Sequence, residues 1–308
     1  MVNRSPLVIV CGPTGSGKSR LGLRLAKSLG GEIISADSMQ VYRKMDIGTD
    51  KPPLEVRREI RHHGIDLVDP DQPFDAAQYR EAALRAVQAV TGSDKPAFVV
   101  GGTGLYLRAL VHGLFRCPPI PEEVRADLRD KVRAAGPGSL YEELRLVDPV
   151  AAARIHPHDA LRIIRALEVY KTLGRPISEL WKDHGFSDRP FRALKLGIAL
   201  ERKELFRRIE ARVDRMIERG LVEEVRGLLD QGYGRELRPM QSIGYRQIAA
   251  YLDKELPLER ALELIKRDSR RYAKRQLTWF KHDPEVFWIP EEHLEKEALE
   301  RVKKFLKV

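Results

Sequence analysis

The chain has 308 residues, 43% hydrophobic and 32% charged, enough to bury a sizeable core in two domains or in one α/β domain with an insertion. Lys and Arg total 55 against 45 Asp and Glu, a net charge of +10 that favours a polyanionic partner such as nucleic acid. The two cysteines, Cys11 and Cys117, exclude a disulfide framework or a zinc cluster and suit the reducing cytoplasm, and no apolar run reaches the ~18 residues of a membrane span.

Leu7-Val8-Ile9-Val10 is a continuous apolar run before a glycine turn. That is the pattern of a buried parallel strand, and it is too short for a signal-peptide core. From Ser19 to Leu29, Leu21, Leu25 and Leu29 fall at helical spacing and the run closes on Gly30-Gly31. Glu32–Ser35 reads as a second strand, with Asp37 just beyond its carboxyl end. Gln78 to Val90 reads as a helix with Ala82, Leu84, Val87 and Val90 apolar. Ala97–Val100 is another buried strand, followed by Gly101-Gly102-Thr103-Gly104, and Leu194–Leu200 is a late strand. This alternation predicts an α/β fold, a P-loop doubly wound parallel sheet whose ligands sit beyond the carboxyl ends of the strands. Three loops can converge there: Gly12–Ser19, Asp37–Gln40 and Gly101–Thr103.

The middle of the chain changes character. Cys117-Pro118-Pro119-Ile120-Pro121 reads as a hinge, and from Glu122 to about Arg192 the pattern is helical and basic. Residues 1–115 are therefore the first part of the core, 116–193 a mostly helical insertion, 194–290 the second part of the core and 291–308 a charged helical tail. In the second part, Phe206, Ile209, Val213, Ile217 and Val222 form one apolar helix stripe. A second helix, from Glu259 to about Phe280, turns Leu262, Ile265, Tyr272 and Leu277 inward. Arg267, Arg271, Lys274 and Arg275 share its other face.

Gly12, Gly17, Lys18 and Ser19 match the pattern G-x-x-x-x-G-K-[ST] between a predicted strand and a predicted helix. The whole segment Gly12-Pro13-Thr14-Gly15-Ser16-Gly17-Lys18-Ser19 is a candidate polyphosphate cradle. Backbone N–H groups turn inward, the helix amino terminus adds partial positive charge, Lys18 places an ammonium on the phosphate oxygens, and Ser19 can ligate Mg²⁺. The motif alone suggests ATP. Yet an ATPase or GTPase carries an acid at the end of a buried strand to hold Mg²⁺, and Ala97–Val100 ends in glycines. Asp37 fits three roles from the residues alone: magnesium ligand, general base or helix cap. The missing acid leaves room for a reaction in which pyrophosphate departs while another group is transferred.

Six segments in order carry a family resemblance: Gly12–Ser19, Ile34-Ser-Ala-Asp-Ser-Met-Gln-Val-Tyr42, Met45-Asp-Ile-Gly-Thr49, Gly101-Gly-Thr-Gly-Leu-Tyr106, Ser242-Ile-Gly-Tyr-Arg-Gln247 and Arg271-Tyr-Ala-Lys-Arg-Gln-Leu-Thr-Trp-Phe280. The chain resembles bacterial tRNA dimethylallyltransferases, also called tRNA isopentenyltransferases, from Gly12 to about Phe280. The resemblance implies transfer of the dimethylallyl group of dimethylallyl diphosphate to N6 of an adenosine next to the tRNA anticodon, with pyrophosphate leaving. It implies Asp37 as the base that takes the amine proton. It places Thr103 where a hydroxyl contacts the reacting groups, and it puts Ser38, Met39 and Gln40 against the flipped adenosine. Leu161, Arg162, Ile163, Ile164 and Arg165 match a second tRNA-contact segment. Ser242, Tyr245, Arg246, Arg271, Lys274 and Arg275 are further tRNA candidates. Arg212 is a candidate for the diphosphate, with a solvated helix-face arginine as its alternative. No cysteine follows Cys117, so no carboxyl-terminal zinc finger is expected. No segment points to a protein partner, and a monomer is expected. A P-loop kinase, a nucleotide-switched RNA-binding protein and an adenylate isopentenyltransferase stand as rivals. The long basic insertion argues against the last, since a free nucleotide needs no such arm.

Overall fold

The computed structural model describes residues 4–115 and 117–308, so the boundary expected at residue 116 lies outside the described residues. The chain divides into two compact units, Met1–Val111 with Arg189–Val308, and His112–Asp188.

The first unit opens with β1 (Ser5–Cys11), α1 (Lys18–Leu29), β2 (Glu32–Ser35), α2 (Leu54–Glu59), β3 (His62–His63), α3 (Ala76–Thr91), β4 (Ala97–Gly101) and α4 (Gly104–His112). The second unit holds α5 (Glu122–Ala135), α6 (Pro137–Val147), α7 (Pro149–Ala152), α8 (Ala160–Leu173) and α9 (Ile177–His184). The chain then returns through β5 (Phe191–Ala199), α10 (Arg202–Glu218), α11 (Leu221–Asp230), α12 (Tyr245–Leu252), α13 (Leu258–Lys281), β6 (Val286–Pro290) and α14 (Leu294–Leu306).

The six strands form one parallel sheet in the order β3-β2-β4-β1-β5-β6. β1 is central because both its faces are apolar. Leu7 and Ile9 join the core that includes Tyr79, Val87, Ile248 and Ile265, while Val8 and Val10 join Leu21, Leu25 and Val302 on the opposite face. Burying such a side chain contributes roughly 1.5–3 kcal/mol, so β1 anchors the helical layers on both faces of the sheet. β2, β3 and β4 lie on one side of β1, and β5 and β6 on the other. The carboxyl end of β1 is therefore the topological switch point where α/β sheets bind ligands. The second unit has its own core, including Leu128, Leu144, Ile163 and Leu167.

Several elements depart from the expectation. β5 starts at Phe191 rather than Leu194 and pairs with β1 along its whole length. The stripe from Phe206 to Val222 is two helices, because Gly220 takes a left-handed conformation, φ 94°, between α10 and α11. β3 and β6 are further edge strands, short and interrupted by polar or exposed residues.

Candidate active site

The loop after β1 leads into α1 through Gly17, whose φ of 88° is the left-handed backbone that a residue with a Cβ resists. The Lys18 ammonium lies back over the loop, 3.2 Å from Pro13 O. Burial lowers its pKa to about 8, and the negative charge of Asp37 is the largest influence opposing that fall. Ser16 Oγ is buried and has no hydrogen-bond partner among the described residues. An orphaned hydroxyl at the floor of such a loop suits an anionic oxygen. Thr14 is held twice: its N–H donates to Gln276 Oε1 at 2.8 Å, and its hydroxyl accepts from Arg212 Nη1. Arg212 Nε lies 2.9 Å from Asp50 Oδ2, an ion pair whose N–H direction makes no hydrogen bond. Arg219 reaches the other oxygen of Asp50 at 3.3 Å.

Asp37 lies beyond β2 in a turn rather than a helix. Its Oδ1 accepts from Met39 N at 2.9 Å and Gln40 N at 3.4 Å, while Oδ2 has no hydrogen-bond partner among the described residues. Thr103 follows β4. Its N–H donates to Ala36 O at 3.1 Å, and its Oγ1 accepts from Ser38 N at 3.0 Å. The loops after β2 and β4 are thus bonded side by side. Tyr272, on α13, is partly buried, and its pKa is pushed up to about 12 by burial and then by the Asp37 charge. Among the described residues no three His, Cys, Asp or Glu side chains form a metal cage. Ser19, in the first turn of α1, is the residue that would hold a Mg²⁺.

Residues 40–283 match the sequence profile of the IPP transferase family. The chain belongs to this family. A member from Geobacter metallireducens named tRNA dimethylallyltransferase is 54% identical over 286 residues, 93% of each chain. A relative named tRNA dimethylallyltransferase 2 from Syntrophus aciditrophicus is 47% identical over 99% of this chain and 98% of its own. Among solved structures, the full-length tRNA isopentenylpyrophosphate transferase of Bacillus halodurans superposes with a TM-score of 0.73 at 38% identity, covering 99% of this chain and 97% of that one. A eukaryotic dimethylallyltransferase acting on tRNA gives a TM-score of 0.79 at 29% identity, covering 93% of this chain and 74% of that one.

Within this IPP transferase, the residues expected to meet tRNA fall into different environments. Leu161 is 83% exposed on α8, and Arg162 and Arg165 are also accessible. Ile163 is a correction: it is fully buried in the core of the second unit, because the apolar face of α8 packs inward. Ile164 is partly buried against the same core. Tyr245 is a second correction. It is 1% exposed, and its phenol donates to Glu224 Oε1 at 2.6 Å. Glu224 in turn accepts from the N–H groups of Asp46, Ile47 and Gly48. Tyr245 therefore supports the Met45–Thr49 segment from inside. Ser242 Oγ is buried with no hydrogen-bond partner among the described residues.

Arg246 donates to Asp268 at 2.6 Å, and Arg267 and Arg271 lie at 2.9 and 3.9 Å from the same carboxylate. Lys274 sits over the Phe206 ring and Arg275 over the Tyr272 ring. Met39 packs on the main core. The Gln40 carboxamide is engaged at both ends, accepting from Ser35 Oγ at 2.9 Å and facing the carbonyls of Thr49 and Asp50 at 3.3 Å. In this conformation it braces the loop instead of offering a free edge to a base. Gln276, Asp50 and Glu224 carry no signal in the sequence.

Proposed function

We propose that this IPP transferase moves the dimethylallyl group of dimethylallyl diphosphate onto N6 of an adenosine next to the anticodon of tRNA and releases pyrophosphate. The observation that carries the reading is the convergence of the loops after β1, β2 and β4: Gln276 bonds both Thr14 and Gly102, and Thr103 bonds Ser38. Lys18 on the first loop is bonded to Pro13 O, and Asp37 on the second is bonded through Oδ1 only. Lys18, the loop amides and Arg212 would hold the diphosphate. As N6 bonds to the allylic carbon, the C–O bond breaks and its electron pair leaves with the diphosphate. Positive groups fixed in advance stabilise that charge. An exocyclic amine is a poor nucleophile until its proton has an acceptor, and Asp37 would take it. Thr103, whose hydroxyl accepts from Ser38 N–H, would present it to the reacting groups. Mg²⁺, bound near Ser19, would neutralise part of the leaving charge.

The basic face of α13, with Arg271, Lys274 and Arg275, and the exposed Leu161, Arg162 and Arg165 would contact tRNA. The relatives named for tRNA favour this substrate over a kinase reaction or a free nucleotide. Among the described residues no helix is long and apolar enough to cross a membrane, and a tRNA substrate suits a cytoplasmic monomer. Incubation with dimethylallyl diphosphate and unmodified tRNA should yield N6-dimethylallyl adenosine by nucleoside mass spectrometry. Its absence beside an active control enzyme would refute the proposal.

A further inference from the structure

We infer that Gln276 is a positioning residue that locks the diphosphate loop to the loop carrying Thr103. The inference rests on the reading that Gly12–Ser19 holds the diphosphate. Gln276 lies on α13 and is 7% exposed. Its Oε1 accepts from Thr14 N at 2.8 Å, and its Nε2 donates to Gly102 O at 2.8 Å. One carboxamide thus spans two loops that share no strand. A carboxamide offers an acceptor and a donor side by side, which no aliphatic or singly charged side chain does. Gly102 is the complement: a Cβ there would stand 2.3 Å from Gln276 Nε2 and 3.1 Å from Gly12 O. One helical turn earlier on α13, Tyr272 lies on the same face. The inner face of α13 therefore fixes Thr14 and Gly102 together, next to Thr103, while its outer face carries Arg271, Lys274 and Arg275. The separation of the diphosphate loop and the Thr103 hydroxyl is set by that brace, and misplacement by an ångström costs up to roughly 10²-fold in rate.

Gln276→Glu keeps the shape, loses the donor to Gly102 O and sets a carboxylate against a carbonyl. The expected result is a kcat lowered roughly 10- to 100-fold with tRNA affinity unchanged. The deficit relative to wild type should shrink as pH falls, because burial raises the carboxyl's pKa and the protonated carboxyl regains the donor. Gln276→Met should show a deficit that does not respond to pH. Gly102→Ala, which expels the amide, should lower kcat similarly and should not add to Gln276→Met. An unchanged kcat in Gln276→Glu, a parallel loss of tRNA binding, or additive Gly102 and Gln276 effects would each overturn the inference. Pyrophosphate binding separates this from failure of the underlying reading. If Lys18→Ala binds pyrophosphate as wild type does, the loop assignment falls and takes the brace with it. If Lys18→Ala loses pyrophosphate while Gln276→Glu turns over normally, only the brace is wrong.

Discussion

Raising the pH should weaken pyrophosphate binding through Lys18 alone. Burial in the loop lowers the Lys18 pKa from 10.5 to about 8, and a diphosphate against the ammonium restores the charged form. Binding then takes up a proton whenever the free site is neutral. Affinity is full below about pH 8 and is lost as pH rises above it. For a single site titrating near 8, the charged fraction of free enzyme falls about 10-fold between pH 7 and pH 9, and affinity follows. The ligand's own ionisation is removed by comparison with Lys18→Arg, whose guanidinium stays charged throughout. Titration calorimetry at fixed Mg²⁺ should show the wild-type to Lys18→Arg affinity ratio falling by about that factor. Heats measured in buffers of different ionisation enthalpy should report proton uptake at the upper pH. The same depression means that the unfolded chain holds a proton the folded one releases between about 8 and 10.5. The ligand-free protein should gain stability across that window. Parallel affinity profiles for the two proteins, with no proton uptake, would refute the argument.

Asp37→Asn should lower turnover by about 10²-fold or more while tRNA affinity stays constant; single-turnover kinetics beside a filter-binding assay decides, and equal losses in both would make Asp37 a recognition residue. Glu224→Ala removes the acceptor for three backbone N–H groups and the Tyr245 phenol. It should destabilise the first unit by about 2–4 kcal/mol in chemical denaturation, and an unchanged midpoint would show that water replaces the carboxylate. Alanine at Arg271, Lys274 and Arg275 together should flatten the salt dependence of tRNA affinity, by roughly 0.7 in logarithmic slope for each phosphate the protein no longer neutralises. An unchanged slope would mean these charges face only solvent.

The central strands and the phosphate loop were legible because their signals are local. Leu7–Val10, Glu32–Ser35 and Ala97–Val100 are apolar runs bounded by turn residues, and the glycine pattern marks the strand-to-helix turn after β1. What escaped depends on side chains that meet across long stretches of sequence. Gln276 meets Thr14 and Gly102 across 262 and 174 positions, and a lone glutamine on a basic helix has no periodicity to betray it. Arg212 read equally well as a solvated side chain, and only folding brings it against Thr14 and Asp50. Tyr245 and Ile163 show the opposite difficulty. Each lies in a segment matched to tRNA contact, and helical phase rather than segment identity turns it into the core. The break at Gly220 was hidden because the apolar spacing continues through it, and β6 because only Val286 and Ile289 of its five residues are buried.

The central claim is that the loop from Gly12 to Ser19 holds a leaving group and does not hand on a phosphoryl group. Dimethylallyl diphosphate carrying ¹⁸O at the oxygen that bridges carbon and phosphorus tests it directly. Prenyl transfer breaks the C–O bond, so the label should appear in released pyrophosphate by mass spectrometry. Label retained in dimethylallyl alcohol or dimethylallyl phosphate would mean cleavage at phosphorus and would contradict the account.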